Sequence, residues 1–231
     1  LGVPLQDLFQ ILRLCMPFLY AAQRLSTGDY AILWRRHGKE RSICLYCLSP
    51  AGEIARITGQ QQSAVFFSAT LSPLESMKQL LGGGEEDVCF ALPSPFPPEN
   101  LRVYICGLST RYRERADTAQ AVAGLIGDMF RSKRGNYIVY FPSYAYLRLV
   151  QLQLEESLHS ALWVQTPQMD ENDREAFFEA FGDDTSPRLG LCVLGGLFSE
   201  GIDLPGNKLI GAMVVGVGLP TPSQKQSAMQ Q

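Results

Sequence analysis

Leu189-Gly190-Leu191-Cys192-Val193-Leu194 runs into Gly195-Gly196-Leu197-Phe198-Ser199-Glu200-Gly201-Ile202-Asp203-Leu204-Pro205-Gly206, and a second apolar run, Leu209 to Val217, follows. Both runs read as buried strands. The twelve residues between them hold four glycines, a proline and only two charges. A connection of that length needs no such backbone freedom, so the loop is more than a link. In an open α/β sheet, ligands bind where loops leave the carboxyl ends of strands. Glycines there admit a phosphate or a nucleic-acid backbone closely, while Glu200 and Asp203 can accept hydrogen bonds from a ribose or orient a cation. Taken alone, the loop reads equally well as a glycine-rich turn with solvated acids.

Outward from this loop the chain alternates. Leu101 to Leu108 reads as a strand. Arg113 to Phe130 reads as a helix with Ala119, Val122, Ala123, Ile126, Met129 and Phe130 on one face, and Tyr137 to Phe141 as a strand. A helix from Ser143 to Leu158, a short strand from Ala161 to Gln165 and a helix from Glu171 to Phe181 complete the approach to Leu189. Such alternation predicts an α/β fold with a parallel sheet covered on both faces. Further upstream, Leu5 to Leu25 has helical spacing with a bend at Pro17, and Tyr30 to Trp34 and Ser42 to Leu48 fit a hairpin. A helix of about two turns starts after Pro73 and stops at Gly82-Gly83-Gly84. Gly82 to Asn100 has little periodicity and many breakers. The expected partition is therefore 1–81, a linker at 82–100, and 101–231.

Two more stretches end strands in a comparable way. Val65-Phe66-Phe67-Ser68-Ala69-Thr70-Leu71-Ser72-Pro73 closes an expected strand with a small-hydroxyl tripeptide, and Tyr140-Phe141-Pro142-Ser143-Tyr144 closes another with an aromatic turn. With Ser199-Glu200-Gly201-Ile202-Asp203, in this order, they resemble three motifs of superfamily 2 helicases. The wording, including Ser94-Pro95-Phe96-Pro97-Pro98-Glu99-Asn100-Leu101, is similar to the XPD/DinG-like branch, its bacterial members most of all. The resemblance covers roughly Ala64 to Pro220, and the ordered set is far more specific than any one segment.

The resemblance implies two RecA-like layered domains, with residues 1–81 the C-terminal part of the first and 101–231 most of the second. Such motors bind ATP and Mg2+ in the cleft between the domains and single-stranded DNA across their tops, moving 5′ to 3′. It assigns Ser68, Ala69 and Thr70 to coupling on the first domain, with hydroxyls as switchable partners. It assigns Phe141, Ser143 and Tyr144 to the DNA-facing end of the second, where a ring can stack on a base. Ser199, Glu200, Gly201 and Asp203 serve both, Asp203 at the ribose and Glu200 in coupling. The implied partners are single-stranded DNA and the remaining part of the first helicase domain. The family's 4Fe-4S cluster, where present, is held by four cysteines upstream, and the resemblance carries no metal ligand onto this chain.

The chain departs from the family pattern in three places: it has no Gly-x-x-x-x-Gly-Lys-Ser/Thr phosphate loop, no acidic box for magnesium, and no Gln…Gly-Arg motif with its arginine finger. The expectation is a piece of a helicase, truncated before the last motif, that by itself neither hydrolyses ATP nor unwinds DNA. A rival reading is a catalytically silent RecA-like module that binds nucleic acid or a protein partner. An unrelated Rossmann enzyme needs a Gly-x-Gly-x-x-Gly turn, which the sequence lacks.

Composition bounds rather than decides. The 231 residues are 46% hydrophobic and 19% charged, in the globular range. A net charge of −3 gives no chain-wide attraction to nucleic acid, which leaves local groups such as Arg111, Arg113 and Arg115, or Arg131, Lys133 and Arg134. Of six cysteines only Cys44 and Cys47 have ligand spacing, and strand geometry turns them to opposite faces. Reduced thiols are expected, in a cytoplasmic protein with no membrane segment.

Overall fold

The computed structural model describes residues 5–182, 186–199, 201–219 and 224–229. It divides into two compact units, the described residues of Leu1–Leu101 with Thr221–Gln231, and Arg102–Pro220.

In the first unit, α1 (Leu5–Gln23) carries Pro17 within it, as the spacing predicts, and precedes a hairpin of β1 (Tyr30–His37) and β2 (Glu40–Cys47). The antiparallel register pairs Leu33 with Cys44 and His37 with Glu40. Next comes α2 (Ala51–Thr58), a helix that the sequence reading passed over. The Glu53 carboxylate accepts from Arg56 and, secondarily, from the Tyr20 hydroxyl, and these bonds hold its carboxyl down to about 2. The short helix after Pro73, α3 (Leu74–Leu80), forms as expected.

Two expected strands do not form. Residues 63–68 are extended without a ladder partner, leaving Val65 82% and Phe67 90% exposed. The run from Leu101 to Leu108 is likewise unpaired, with Tyr104 80% and Ile105 95% exposed. Apolar β-prone residues become a strand only where a neighbouring strand takes up the backbone groups and a surface covers the side chains. Neither run has such a neighbour among the described residues.

The second unit is the layered domain that the alternation predicts. Four parallel strands, β3 (Tyr137–Phe141), β4 (Leu162–Val164), β5 (Leu189–Val193) and β6 (Gly211–Val214), lie in the order β4-β5-β3-β6. Side chains alternate across the sheet, as the pleat requires. Tyr137, Val139 and Phe141, with Leu189, Leu191 and Val193, face α4 (Arg115–Ser132) and α5 (Tyr144–Gln151). Ile138 and Cys192 face the opposite way and meet Phe177 and Phe181 of α6 (Glu171–Gly182). On α4 the buried residues are Ala119, Val122, Ala123, Ile126 and Gly127, the stripe set by its apolar spacing.

The helix expected over 143–158 is shorter. It gives way after Gln151 to tight turns and a 3-10 segment, Glu156–Ala161, in which Gln153, Leu154 and Leu158 donate to carbonyls three residues back. Leu154 and Leu158 still reach the core by that path. At the N-terminal edge of the sheet, buried Asn136 donates to the carbonyls of Phe181 and Lys208, both at 2.9 Å, and accepts from the Arg188 N–H at 2.8 Å.

Candidate functional site

Parallel strands end on the same side, so the turns after β3, β4, β5 and β6 share one edge of the second unit. Phe141 stands opposite Val193, and the Phe141 carbonyl accepts the Leu194 N–H at 2.8 Å. The aromatic turn 141–144 and the glycine loop 195–206 therefore leave neighbouring strands side by side. Two of the three expected motif turns are brought together by topology alone.

On the first of these turns, Ser143 caps α5, its hydroxyl accepting from the Tyr146 N–H at 3.3 Å, which satisfies one of the orphan donors of that helix end. Phe141 is wholly buried and meets Tyr146 edge to face at 5.9 Å. Its ring is part of the core and offers no face for base stacking. Its backbone ties the two turns together instead, and Ser143 and Tyr144, half-buried, are the residues that present surface.

The second turn is held from beneath. Phe198 is fully buried, 4.8 Å from the Trp163 ring and 4.7 Å from that of Phe177, and its carbonyl accepts the Tyr140 hydroxyl at 2.9 Å. Burial pushes the Tyr140 hydroxyl up to about 12, so it stays protonated and keeps donating. Burial does the same to Cys192, up to about 12, leaving an unreactive thiol beneath the loop. Ile202 and Leu204 pack on the same cluster, while Asp203 between them is exposed. The Ser199 hydroxyl donates to the Gly196 carbonyl at 2.7 Å. Gly201 adopts φ +65°, a conformation that costs glycine little, and its carbonyl accepts from Arg174 Nη2 at 2.7 Å. Arg174, which no spacing in the sequence selects, is thus a strut for the loop, steadied by Glu171 at 2.8 Å. Glu200 lies outside the described residues.

The start of α4 reaches the same edge, because its far end feeds β3. Arg115 is fixed there, donating to the Thr110 carbonyl at 3.1 Å and lying 4.6 Å over the Tyr146 ring. Arg111 and Arg113 are exposed, and between them stands Tyr112, 84% exposed, which the sequence reading passed over. Exposed cations flanking an exposed ring suit a single-stranded backbone and a stacked base. The other basic set differs: Arg131 pairs with Asp128 and Glu155. Lys133 and Arg134 line a cavity of about 330 Å³ with Asn136 and Ile210, at the opposite edge of the sheet and away from the motif turns.

In the first unit, Ser68, Ala69 and Thr70 are exposed. The Ser68 and Thr70 hydroxyls lie 3.1 Å apart, and the Thr70 N–H donates to Ser68 Oγ at 3.2 Å. They form a local turn rather than the end of a paired strand. No cluster of three or more His, Cys, Asp or Glu side chains suited to a metal ion occurs among the described residues, and no described helix is long and apolar enough to cross a membrane.

Residues 126–231 match the family model of the helicase C-terminal domain. Human relatives include the putative ATP-dependent DNA helicase DDX11-like protein 8, 24% identical over 241 residues, which are 91% of this chain and 26% of that protein. The human ATP-dependent DNA helicase DDX11 is 25% identical over 242 residues, 91% of this chain and 25% of that protein. The chain thus spans about a quarter of the length of these curated relatives. A solved XPD helicase is similar in fold, with a TM-score of 0.59 and 18% identity over 90% of this chain and 37% of that one. The motif turns, the layered sheet and these matches agree: residues 126–231 match a helicase C-terminal domain, and the chain is similar to DDX11 in sequence and to an XPD helicase in fold.

Proposed function

We propose that this chain is the C-terminal motor portion of an ATP-dependent DNA helicase of the DinG type, moving 5′ to 3′ on single-stranded DNA in repair or replication. On this reading, residues 1–81 belong to the tail of the first motor domain, 82–100 link it to the second, and 101–231 contribute to the second. The parent works in the cytoplasm. The observation that carries the reading is the juxtaposition of the 141–144 turn and the 195–206 loop on adjacent parallel strands, with Asp203 exposed on a loop anchored by Phe198.

ATP and its Mg2+ supply the driving phosphoryl transfer when bound. The residues present here fit only part of that site. The loop offers exposed Asp203, Ser199 and a glycine backbone, while the phosphate loop is absent from the sequence. Asp203 is assigned to the ribose, Glu200 and Gly201 to coupling, and Ser199, Ser143 and Tyr144 to the DNA strand. For an iron-sulfur cluster the residues do not fit: Cys15 lies on α1, Cys44 and Cys47 stand three apart on β2 and so face opposite ways, and no metal-holding cluster occurs among the described residues.

The test is the ATPase rate of the intact helicase with and without oligo-dT. Asp203→Ala and Glu200→Ala are each expected to abolish DNA stimulation; an unaffected rate removes them from the site. The silent-module reading is favoured only if the gene upstream of Leu1 encodes no phosphate loop.

A further inference from the structure

We infer that Gln165 is the positioning residue that couples the DNA-facing turn to the nucleotide-facing loop, an inference that rests on the proposed motor function. Gln165 follows β4 and is only 3% exposed. Its Oε1 accepts the Val193 N–H at 2.8 Å, and its Nε2 donates to the Tyr144 hydroxyl at 3.1 Å. The orientation of the amide is forced. Val193 N–H is a donor and must meet the oxygen, which turns the NH2 toward Tyr144. Its own backbone N–H donates to the Leu191 carbonyl at 2.9 Å, so the residue is locked to β5 at both ends.

The same amide presses on the loop. A Cβ on Gly196 would lie 2.6 Å from Gln165 Nε2, so the chain passes the amide at a distance only glycine allows. One side chain therefore touches the tyrosine of the aromatic turn, the last residue of β5 and the second residue of the glycine loop. A movement of Tyr144 on a DNA strand has a direct mechanical route to Gly196, and movement of the loop has the same route back. Coupling of this kind is reciprocal and worth roughly 5- to 150-fold in affinity or response. Sequence order gives no hint of the contact, because β4 meets the 141–144 turn only through the sheet order.

The experiment compares DNA-stimulated with basal ATPase in the intact helicase, alongside thermal melting. Gln165→Met removes both hydrogen bonds at similar volume and is expected to lower the stimulated-to-basal ratio about tenfold. Gln165→Glu, whose carboxylate can accept from both Val193 N–H and the Tyr144 hydroxyl, is expected to recover part of that ratio. Leu158→Ala, a core truncation remote from the contact, controls for stability: it is expected to lower the melting temperature and leave the ratio alone. If Gln165→Met fails to fold, Tyr144→Phe, which removes one bond, carries the test and is expected to lower the ratio. A wild-type ratio in whichever of these two variants folds overturns the assignment. A wild-type enzyme with no DNA stimulation instead overturns the motor reading on which it rests.

Discussion

The loop at 195–204 and the turn at Ser68–Thr70 are both short stretches singled out for coupling, yet they are built differently. The loop stands on a buried phenylalanine, a buried glutamine and an arginine strut. The turn is exposed and held by hydrogen bonds among its own residues. A loop whose geometry is set by its own domain's core is preorganised before any ligand arrives; a turn held only locally takes its geometry from whatever contacts it.

That contrast can be broken or sharpened by substitution. Phe198→Ala removes the ring beneath the loop and is expected to destabilise the second unit by about 3–5 kcal/mol, measured by denaturant unfolding. Gly196→Ala is expected to cost about 1–3 kcal/mol, because the new methyl meets the Gln165 amide and must displace it. Ser68→Ala and Thr70→Ala are expected to change stability by less than about 0.5 kcal/mol, as exposed positions do. A large loss at Thr70, or none at Phe198, would erase the distinction. Thiol labelling at pH 8 sharpens it chemically: Cys15, Cys47, Cys89 and Cys106 are exposed and are expected to react, whereas Cys192, held up to about 12 by burial, stays unmodified until the unit unfolds.

The layered sheet was legible because its cause is local. Apolar runs of strand length alternate with helical stripes, and alternation of that kind has few solutions. The shared edge for 141–144 and 195–206 follows directly, since parallel strands end together. The failures are equally physical. Val65–Ser68 and Leu101–Leu108 have the composition of strands, but a strand also needs a neighbour, which no local pattern supplies. Phe141 looked like a stacking ring because it sits in an aromatic turn; the pleat turns it inward beside Val139. Arg174 and Gln165 were invisible as site residues because their partners, Gly201 and Tyr144, lie 27 and 21 positions away and meet them only through the fold.

The central claim is that one edge of the parallel sheet meets both nucleotide and DNA. Hydrogen exchange on the intact helicase, with and without oligo-dT and a non-hydrolysable ATP analogue, tests it most directly. The expected result is slowed exchange at residues 141–146 and 194–203. Slowing confined to the opposite edge, around residues 133–136 and 207–210, with none at the two turns, would contradict it.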